Sequence, residues 1–436
     1  MFSTPTTWDA PISHCFRDIV SKAGFGENKL HKVALGLTEP EAAAVCTCRT
    51  RTVGKIHKGH VVLSIDAGGG TTDLAFVKAT ANTADSLTLE ELHPVDGIGV
   101  GSAIIDREFA KLIHDRMKRH PDALSKLPQG FPLKASQSDG FQAWKHALGS
   151  KDWDRSQNDL LIEVSGLEKS YSNEDLGIKQ GRLSFTRQQL ESCFDIILKE
   201  IKGVIKRALD NFEGNNRLAG IARHVNHIVL SGGLGSSDYV LKELTTYIND
   251  LGKKANSCVA GSRVLRTKGN ARMVVVEGLL YDRRTEARAL REHIARANYG
   301  IIVEEPRSRG SAQCSTSPTI RWLVKFGETI QVGKPTTVEI TKRLEKSDRG
   351  KWAEKIVWLE DESSDQLPTD VQNGWKEGMK ELYSVDIETR QDTKSRIFWR
   401  RGKKASRNCD FKLTLVVGPS GDCVVEVSGS GIKRSG

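Results

Sequence analysis

The sequence predicts an α/β fold over about residues 1–300, followed by a β-rich region at 301–436. Three observations carry this. Short apolar runs such as VVLSI (61–65) and HIVLS (227–231) alternate with long amphipathic stretches, the pattern of strands interleaved with helices. Both runs stop at glycine clusters, which strand or helix interiors disfavour and turns accept. After Tyr299 the texture changes to short alternating segments separated by Gly, Pro, Asp and Ser, among them RWLVKFGETI, TTVEITKRL, KIVWLED, YSVDIETR, RIFWRR, FKLTLVVG and CVVEVSGSG.

Taken in order, residues 13–24 read as a short amphipathic helix that stops near Gly24. HKVALGLTEPEAAAVCTC (31–48) follows as strand, turn and helix. Pro40 suits the first helical turn, where its missing N–H is no loss, and EAAAV propagates well from it. Glu39 then stands at the junction of strand and helix. Residues 60–65 and 74–78 form two strands around a glycine turn, and SLTLEEL (86–92) alternates as a third. GIGVGS (97–102) opens the helix IIDREFAKLIHDRMKRH; its glycines are read as close packing at a helix start rather than as a dinucleotide loop. Residues 120–183 are polar and irregular apart from a helix around FQAWKHAL.

A long helix spans 187–212. Thr186 and Gln189 form a capping box, and Leu190, Phe194, Ile197, Ile201, Ile205, Leu209 and Phe212 make one apolar face. HIVLSGG is a buried strand running into a glycine turn, and SSDYVLKELTTYINDL is a helix capped by Ser237. ARMVVVEGLLYDRRTEARALREHIARA (271–297) reads as another long helical region.

Composition bounds the function classes. The chain has 436 residues, 38% hydrophobic and 28% charged, which suits a globular protein of two or three domains. No apolar run reaches the roughly 18 residues that a membrane helix needs. The N-terminus has neither a basic head nor an apolar stretch, so no signal peptide is read. The cysteines at 15, 46, 48, 193, 258, 314, 409 and 423 include no CxxC pair. They are expected to be reduced thiols in a cytoplasmic protein, not a zinc site. The net charge of +10 concentrates in places such as KSRIFWRRGKKASR (394–407), whose seven Lys or Arg flank Phe398 and Trp399. This run is read as a solvated hairpin with its rings toward a core, and a nucleic-acid partner is not expected. The eleven histidines match no HExxH spacing, and neither Ser64 nor Ser231 lies in GxSxG.

The chemistry lies in SIDAGGGTTDLA (64–75). Strand follows the glycines, and no lysine does, so this is a hairpin and not a P-loop. Successive backbone N–H groups without Cβ atoms can converge on an anion. Asp66 and Asp73, at either end of the turn, suit Mg²⁺, which takes oxygen ligands and keeps much of its water. Thr71 and Thr72 add hydroxyls. Read as residues alone, the same stretch also fits a plain glycine hairpin with two turn-forming aspartates.

Four elements in a fixed order, TEPEAAA, DAGGGTTD, GIGVGS and VLSGGLGSSDYV, resemble the actin-like ATPase superfamily. Within it the likeness is greatest to the divergent, lidless branch of the seventy-kilodalton heat-shock chaperones. The resemblance covers about residues 1–300 and implies actin-like, ribonuclease-H-like lobes with ATP or ADP and Mg²⁺ held between them. It implies a remainder of the first lobe at 1–59 and a second lobe at 60–260 with an insertion at about 116–183. A return helix to the first lobe would lie at 261–300. Position by position, it makes Asp66 and Asp73 the acids around the metal and has Gly68, Gly69, Gly70 and Thr71 line the phosphates. Glu39 would orient the attacking water. Gly232 and Gly233 would lie beneath the nucleoside, beside Gly235 and Ser236, and Gln142, Lys145 and His146 would flank adenine. Gln142, His146 and Ser236 depart from the residue types of the typical chaperones.

The first phosphate hairpin of that family has no counterpart in residues 1–60, so the chain is expected to begin about midway through the first lobe. Losing one well-placed donor commonly costs about 2.7–4 kcal/mol of transition-state stabilisation. The resemblance therefore implies a nucleotide-binding protein with hydrolysis impaired or lost, and client or partner proteins. The alternative is a non-enzymatic scaffold that retains the fold.

Overall fold

The computed structural model describes residues 1–434 except 29, 51–55, 83–86, 122–126, 152, 154–159, 164–165, 216–222, 268, 285–287, 307–315, 346–349, 361–366, 372–374 and 390–405. The expected RIFWRR strand and most of the basic run at 394–407 lie outside the described residues. The chain divides into two compact units. One comprises Pro5–Thr7 and Glu39–Ala289; the other comprises Met1–Thr4, Trp8–Thr38 and Leu290–Gly436.

The first helix, α1 (Ala10–Lys22), belongs to the second of these units. It starts three residues before the sequence suggests, because Asp9 accepts from the Ile12 N–H at 3.0 Å and Pro11 occupies the first turn. The expected strand at HKVAL reduces to one isolated bridge between Leu35 and Phe2.

The 39–289 unit is mixed α/β around a five-stranded sheet. Helix α2 (Glu39–Thr50) precedes β1 (Val61–Ala67), β2 (Thr72–Asn82) and β3 (Leu87–Ile98), which pair antiparallel as successive hairpin strands. Further along the chain, β7 (His227–Ser231) lies parallel to β1, and β8 (Arg263–Arg266) parallel to β7. The sheet order is β3-β2-β1-β7-β8. Every residue of β1 is buried, so its apolar run is continuous rather than alternating, as a strand covered on both faces requires.

Between β3 and β7 lie α3 (Ala103–Lys118), α4 (Phe131–Ser136), α5 (Asp139–Ala147) and α6 (Arg187–Gly214). A small antiparallel sheet, β4 (Leu160–Glu163), β6 (Arg182–Phe185) and β5 (Ile178–Lys179), falls within that stretch. Thr186 and Gln189 close the expected capping box on α6, and all seven of its expected apolar-face residues are buried. Rings stack in this core: Phe76 on Phe212 at 4.6 Å, and Phe109 on Phe141 at 3.9 Å. A short turn of helix, α7 (Gly232–Gly235), leads to α8 (Asp238–Gly252), capped by Ser237 as expected. Helix α9 (Val274–Arg284) packs on α2 so closely that a Cβ at Gly278 would fall 1.8 Å from the Ala42 carbonyl oxygen.

The expected helical region at 271–297 is a correction. Helix ends at Arg284, and Glu292–Ile294 is strand β9, paired with β12 (Thr329–Gln331). The composition favours helix, but His293, Ala295 and Ala297 are buried while Glu292, Ile294 and Arg296 are half-buried, an alternation that suits extended chain.

The other unit is β-rich. One sheet runs β11 (Thr316–Val324), β10 (Asn298–Pro306), β14 (Lys351–Leu359), β15 (Lys380–Thr389), β18 (Ile432–Arg434). A second runs β13 (Thr336–Glu345), β16 (Ser406–Val417), β17 (Cys423–Ser428). Both contribute to one core: Ile301, Ile356, Trp358 and Val385 from the first, and Ile340, Phe411, Leu413 and Val425 from the second. Helix α1 is tied to this unit by Arg17–Asp422 (3.3 Å) and by the Ser13 hydroxyl donating to the Ser420 carbonyl at 3.0 Å. Among the described residues no helix is long and apolar enough to cross a membrane.

Candidate functional site

Sheet register gathers the motifs of the 39–289 unit. Asp66, at the end of β1, pairs across the hairpin with Asp73 and in parallel register with Ser231 at the end of β7. The glycine hairpin and the GG turn therefore leave the sheet side by side, where adjacent parallel strands end, the place where open α/β sheets bind ligands. Gly232 makes the contact: its φ is 80°, and a Cβ there would lie 2.3 Å from the Ala67 carbonyl oxygen and 2.8 Å from Asp66 Oδ1.

The third motif closes on the hairpin from the other side. The N–H groups of Ser102 and Ala103, at the start of α3, donate to the carbonyls of Gly68 and Gly69 at 3.1 and 2.9 Å. A Cβ on Gly101 would fall 2.5 Å from the Gly69 backbone. GIGVGS is thus close packing at a helix start. Thr72 is buried and donates to the Val100 carbonyl at 2.8 Å, which fixes the foot of the turn.

Three carboxylates meet here. Asp66 is 6% exposed and Asp73 fully buried, while Glu39, at the first turn of α2, is half-buried. Burial, with the charges of Asp66 and Asp73 adding to it, pushes Glu39 up to about 7. Burial likewise raises Asp66 to about 6, with Asp73 adding to the rise, against a 2.7 Å hydrogen bond donated by Ser231 Oγ.

Asp73 is clamped. Both the backbone N–H (2.7 Å) and the hydroxyl of Thr6 donate to its Oδ1, and the same hydroxyl meets the Asp96 carbonyl at 2.9 Å. A Cβ on Gly97 would lie 2.1 Å from Thr6 Oγ1, so glycine there admits the clamp.

The remaining glycines divide in an informative way. Gly69, Gly70 and Gly233 are exposed, none has a positive φ, and a Cβ on any of them would meet nothing within 4 Å among the described residues. Thr71 is half-buried beside them, and its carbonyl accepts from the Gly68 N–H at 2.9 Å. Gly235 is buried, with its Cβ position in ordinary contact with Leu230. Ser236 is exposed, its hydroxyl bonded to the Gly233 carbonyl at 2.7 Å and its own carbonyl to Arg266 at 2.5 Å.

Helix α5 reaches the same neighbourhood through Gly149, whose Cβ would sit 2.5 Å from the Tyr239 backbone nitrogen at the start of α8. Gln142 donates to Asp106 on α3 and to the Ser136 carbonyl, Lys145 pairs with Asp106 at 2.7 Å, and His146 is exposed.

Sequence reasoning missed Thr6, Ser231 as a partner of Asp66, and Arg266. Thr6 stands 67 residues from the acid it clamps, and no local pattern announces it. Among the described residues no group of three His, Cys, Asp or Glu side chains is arranged to hold a metal by itself, so a cation at these acids needs further oxygen ligands. No protein-family model matches the chain, and no curated protein matches its sequence.

Proposed function

We propose that the chain binds a magnesium-bound adenine nucleotide where β1 and β7 end, in keeping with its resemblance to the actin-like ATPases and their seventy-kilodalton heat-shock branch. The observation that carries the reading is the set of glycines that the folded chain does not itself require. Gly101 and Gly232 are accounted for by contacts inside the protein; Gly69, Gly70 and Gly233 have open space where a side chain would be. A ligand lying against the backbone gives those three positions their reason. The clustered acids supply the second half of the argument. Glu39 and Asp66, whose proton affinity is raised by burial and by the neighbouring aspartates, are relieved by a divalent cation, and phosphate oxygens and water complete its shell.

In this reading Gly69, Gly70 and Thr71 present backbone and hydroxyl donors to phosphate, Asp66 holds the cation through its waters, and Glu39 faces the same ion. Gly233 and Ser236 lie under the nucleoside. The proposal stops at binding. Phosphoryl transfer needs charge stabilisation on every side of the γ-phosphate, and the residues argued here serve one side.

One observation favours the alternative of a non-enzymatic scaffold: Asp73 Oδ1 is already engaged twice by Thr6. Calorimetry with Mg²⁺–ADP separates the two. The nucleotide reading expects micromolar binding that Asp66→Asn weakens by about 100-fold and Gly69→Val by at least about tenfold, each 1.4 kcal/mol of lost interaction being a factor of ten. Gly69→Val should leave thermal stability unchanged. Absence of heat at millimolar nucleotide leaves the scaffold.

A further inference from the structure

The opposite end of β1 carries a second cluster, built from two His-x-x-His steps. His57 and His60 immediately precede β1; His224 and His227 lead into β7. Because β1 and β7 run parallel, with Val62 opposite His227, the two steps arrive at the same edge of the sheet. The strands are locked together there, the Val61 N–H donating to the Asn226 side chain at 2.8 Å and the Asn226 N–H to the Val61 carbonyl at 2.9 Å. The four imidazoles, with Asn226 and Arg263, line a cleft of about 460 Å³.

The geometry inside the cluster is specific. His60 Nδ1 and His227 Nε2 stand 3.2 Å apart, and the His57 and His60 rings have centroids 5.1 Å apart. Two imidazole nitrogens on one tetrahedral zinc, each about 2.0–2.1 Å from the metal, are about 3.3–3.4 Å apart. The His57 backbone N–H donates to His60 Nδ1 at 3.3 Å, which makes that nitrogen an acceptor and assigns the hydrogen between the rings to His227 Nε2. His227 Nδ1 is then a bare lone pair without a hydrogen-bond partner, on a side chain that is only 7% exposed.

We propose that this cleft binds a borderline transition-metal ion such as Zn²⁺, with His60 Nδ1 and His227 Nε2 as the paired ligands. His57, which is exposed, or His224, which is half-buried, completes the set by side-chain rotation, and water takes the remaining position. Binding shifts the His227 proton from Nε2 to Nδ1, so the imidazole stays neutral, and the N–H···N contact between the rings gives way to two N–metal bonds. Two of the ligand nitrogens already stand at their working separation; the others do not, which agrees with the lack of a ready-made three-ligand cluster among the described residues. The rings are suited to the role because burial and neighbouring positive charge lower the pKa of both His60 and His227, so protons compete weakly for the nitrogens. Arg263, paired in register with His227, opposes a cation here.

The test is calorimetric titration of the full, reduced chain with Zn²⁺ in excess Mg²⁺, with Co²⁺ absorption to report the ligand atoms. One equivalent should bind without thiolate-to-cobalt charge transfer. His60→Gln and His227→Gln should each weaken binding by about 100-fold, at or beyond the upper end of what losing a ligand's supporting partner costs. Arg263→Ala should tighten it several-fold. His57→Ala and His224→Ala, at positions where truncation spares the core, should show a loss of at least about tenfold in one of the two. Affinity unchanged in all four histidine variants, or a cobalt spectrum dominated by thiolate, overturns the proposal.

Discussion

Strand β1 leaves a half-buried imidazole, His60, at one end and reaches a buried carboxylate, Asp66, at the other, and each end has gathered more of its own kind. At the carboxylate end burial raises the proton affinity of Glu39 and Asp66, with Asp66 and Asp73 adding to the rise at Glu39 and Asp73 to that at Asp66. At the imidazole end burial lowers the proton affinity of His60 and His227, with His57 and His224 adding to the effect on His60, and His60, Arg263 and His57 to that on His227. Like groups concentrated in low-dielectric surroundings thus shift proton affinity in opposite directions at the two ends of one strand. The ends also differ in how they are held. The acids are fixed by the Thr6 hydroxyl and a closed hairpin, whereas His57, His60 and His224 sit on chain leading into the strands, half-buried or exposed.

The largest expected effect on stability tests that difference in support. Thr6→Val removes the hydroxyl that bridges Asp73 and the Asp96 carbonyl while keeping side-chain volume. Hydrogen bonds to charged groups are worth about 1.5–3 kcal/mol, so the variant should lose about 2 kcal/mol in urea denaturation. An equal loss from His57→Ala at the imidazole end would mean that both ends are equally braced, and the contrast would fail.

These two ends were not equally legible. The hairpin, the capping box of Thr186 and Gln189 and the Ser237 cap were readable because their chemistry is local: three glycines in a row, or a hydroxyl three residues before the backbone N–H it accepts from. The His-x-x-His steps were not, since 164 residues separate His60 from the end of the second step's lead-in at His224, and only the parallel register of β1 and β7 joins them. Thr6 was invisible for the same reason. The reading of 271–297 as helix failed where Ala, Arg and Glu favour helix one residue at a time while burial at 293, 295 and 297 follows a period of two. The helix of Gln142 and Lys145 was legible, but their bonds to Asp106, more than 30 residues away in the chain, were not.

The next effect sharpens the carboxylate end. An unfolded glutamate titrates near 4.5, and folded Glu39 near 7. Between those values the folded state holds more protons than the unfolded one, so the Glu39 contribution to stability is full below about pH 4.5 and is lost as pH rises toward 7. Glu39→Gln should flatten that decline by roughly 1–2 kcal/mol once solvent screening of a half-buried group is allowed for. The check is chemical denaturation at several values across the window. A slope unchanged in Glu39→Gln would show that the three acids do not titrate as a coupled set.

The smallest effect belongs to the imidazole end and has the opposite sign. Folded His227 titrates near 4 against 6.5 for the free side chain, with burial the main cause and His60, Arg263 and His57 adding to it. The folded state therefore binds fewer protons in that window, and the His227 contribution, present above about pH 6.5, is lost as pH falls toward 4. His60 is shifted in the same direction by burial, His57 and His224. His227→Asn should make the acid limb shallower by about 1 kcal/mol. Measuring it in a Glu39→Gln background removes the opposing slope from the far end of the sheet, so the two clusters are read one at a time. An acid limb that His227→Asn leaves intact would mean that His227 is solvated enough to keep its ordinary proton affinity. Only the carboxylate end of the sheet would then shift its protons on folding.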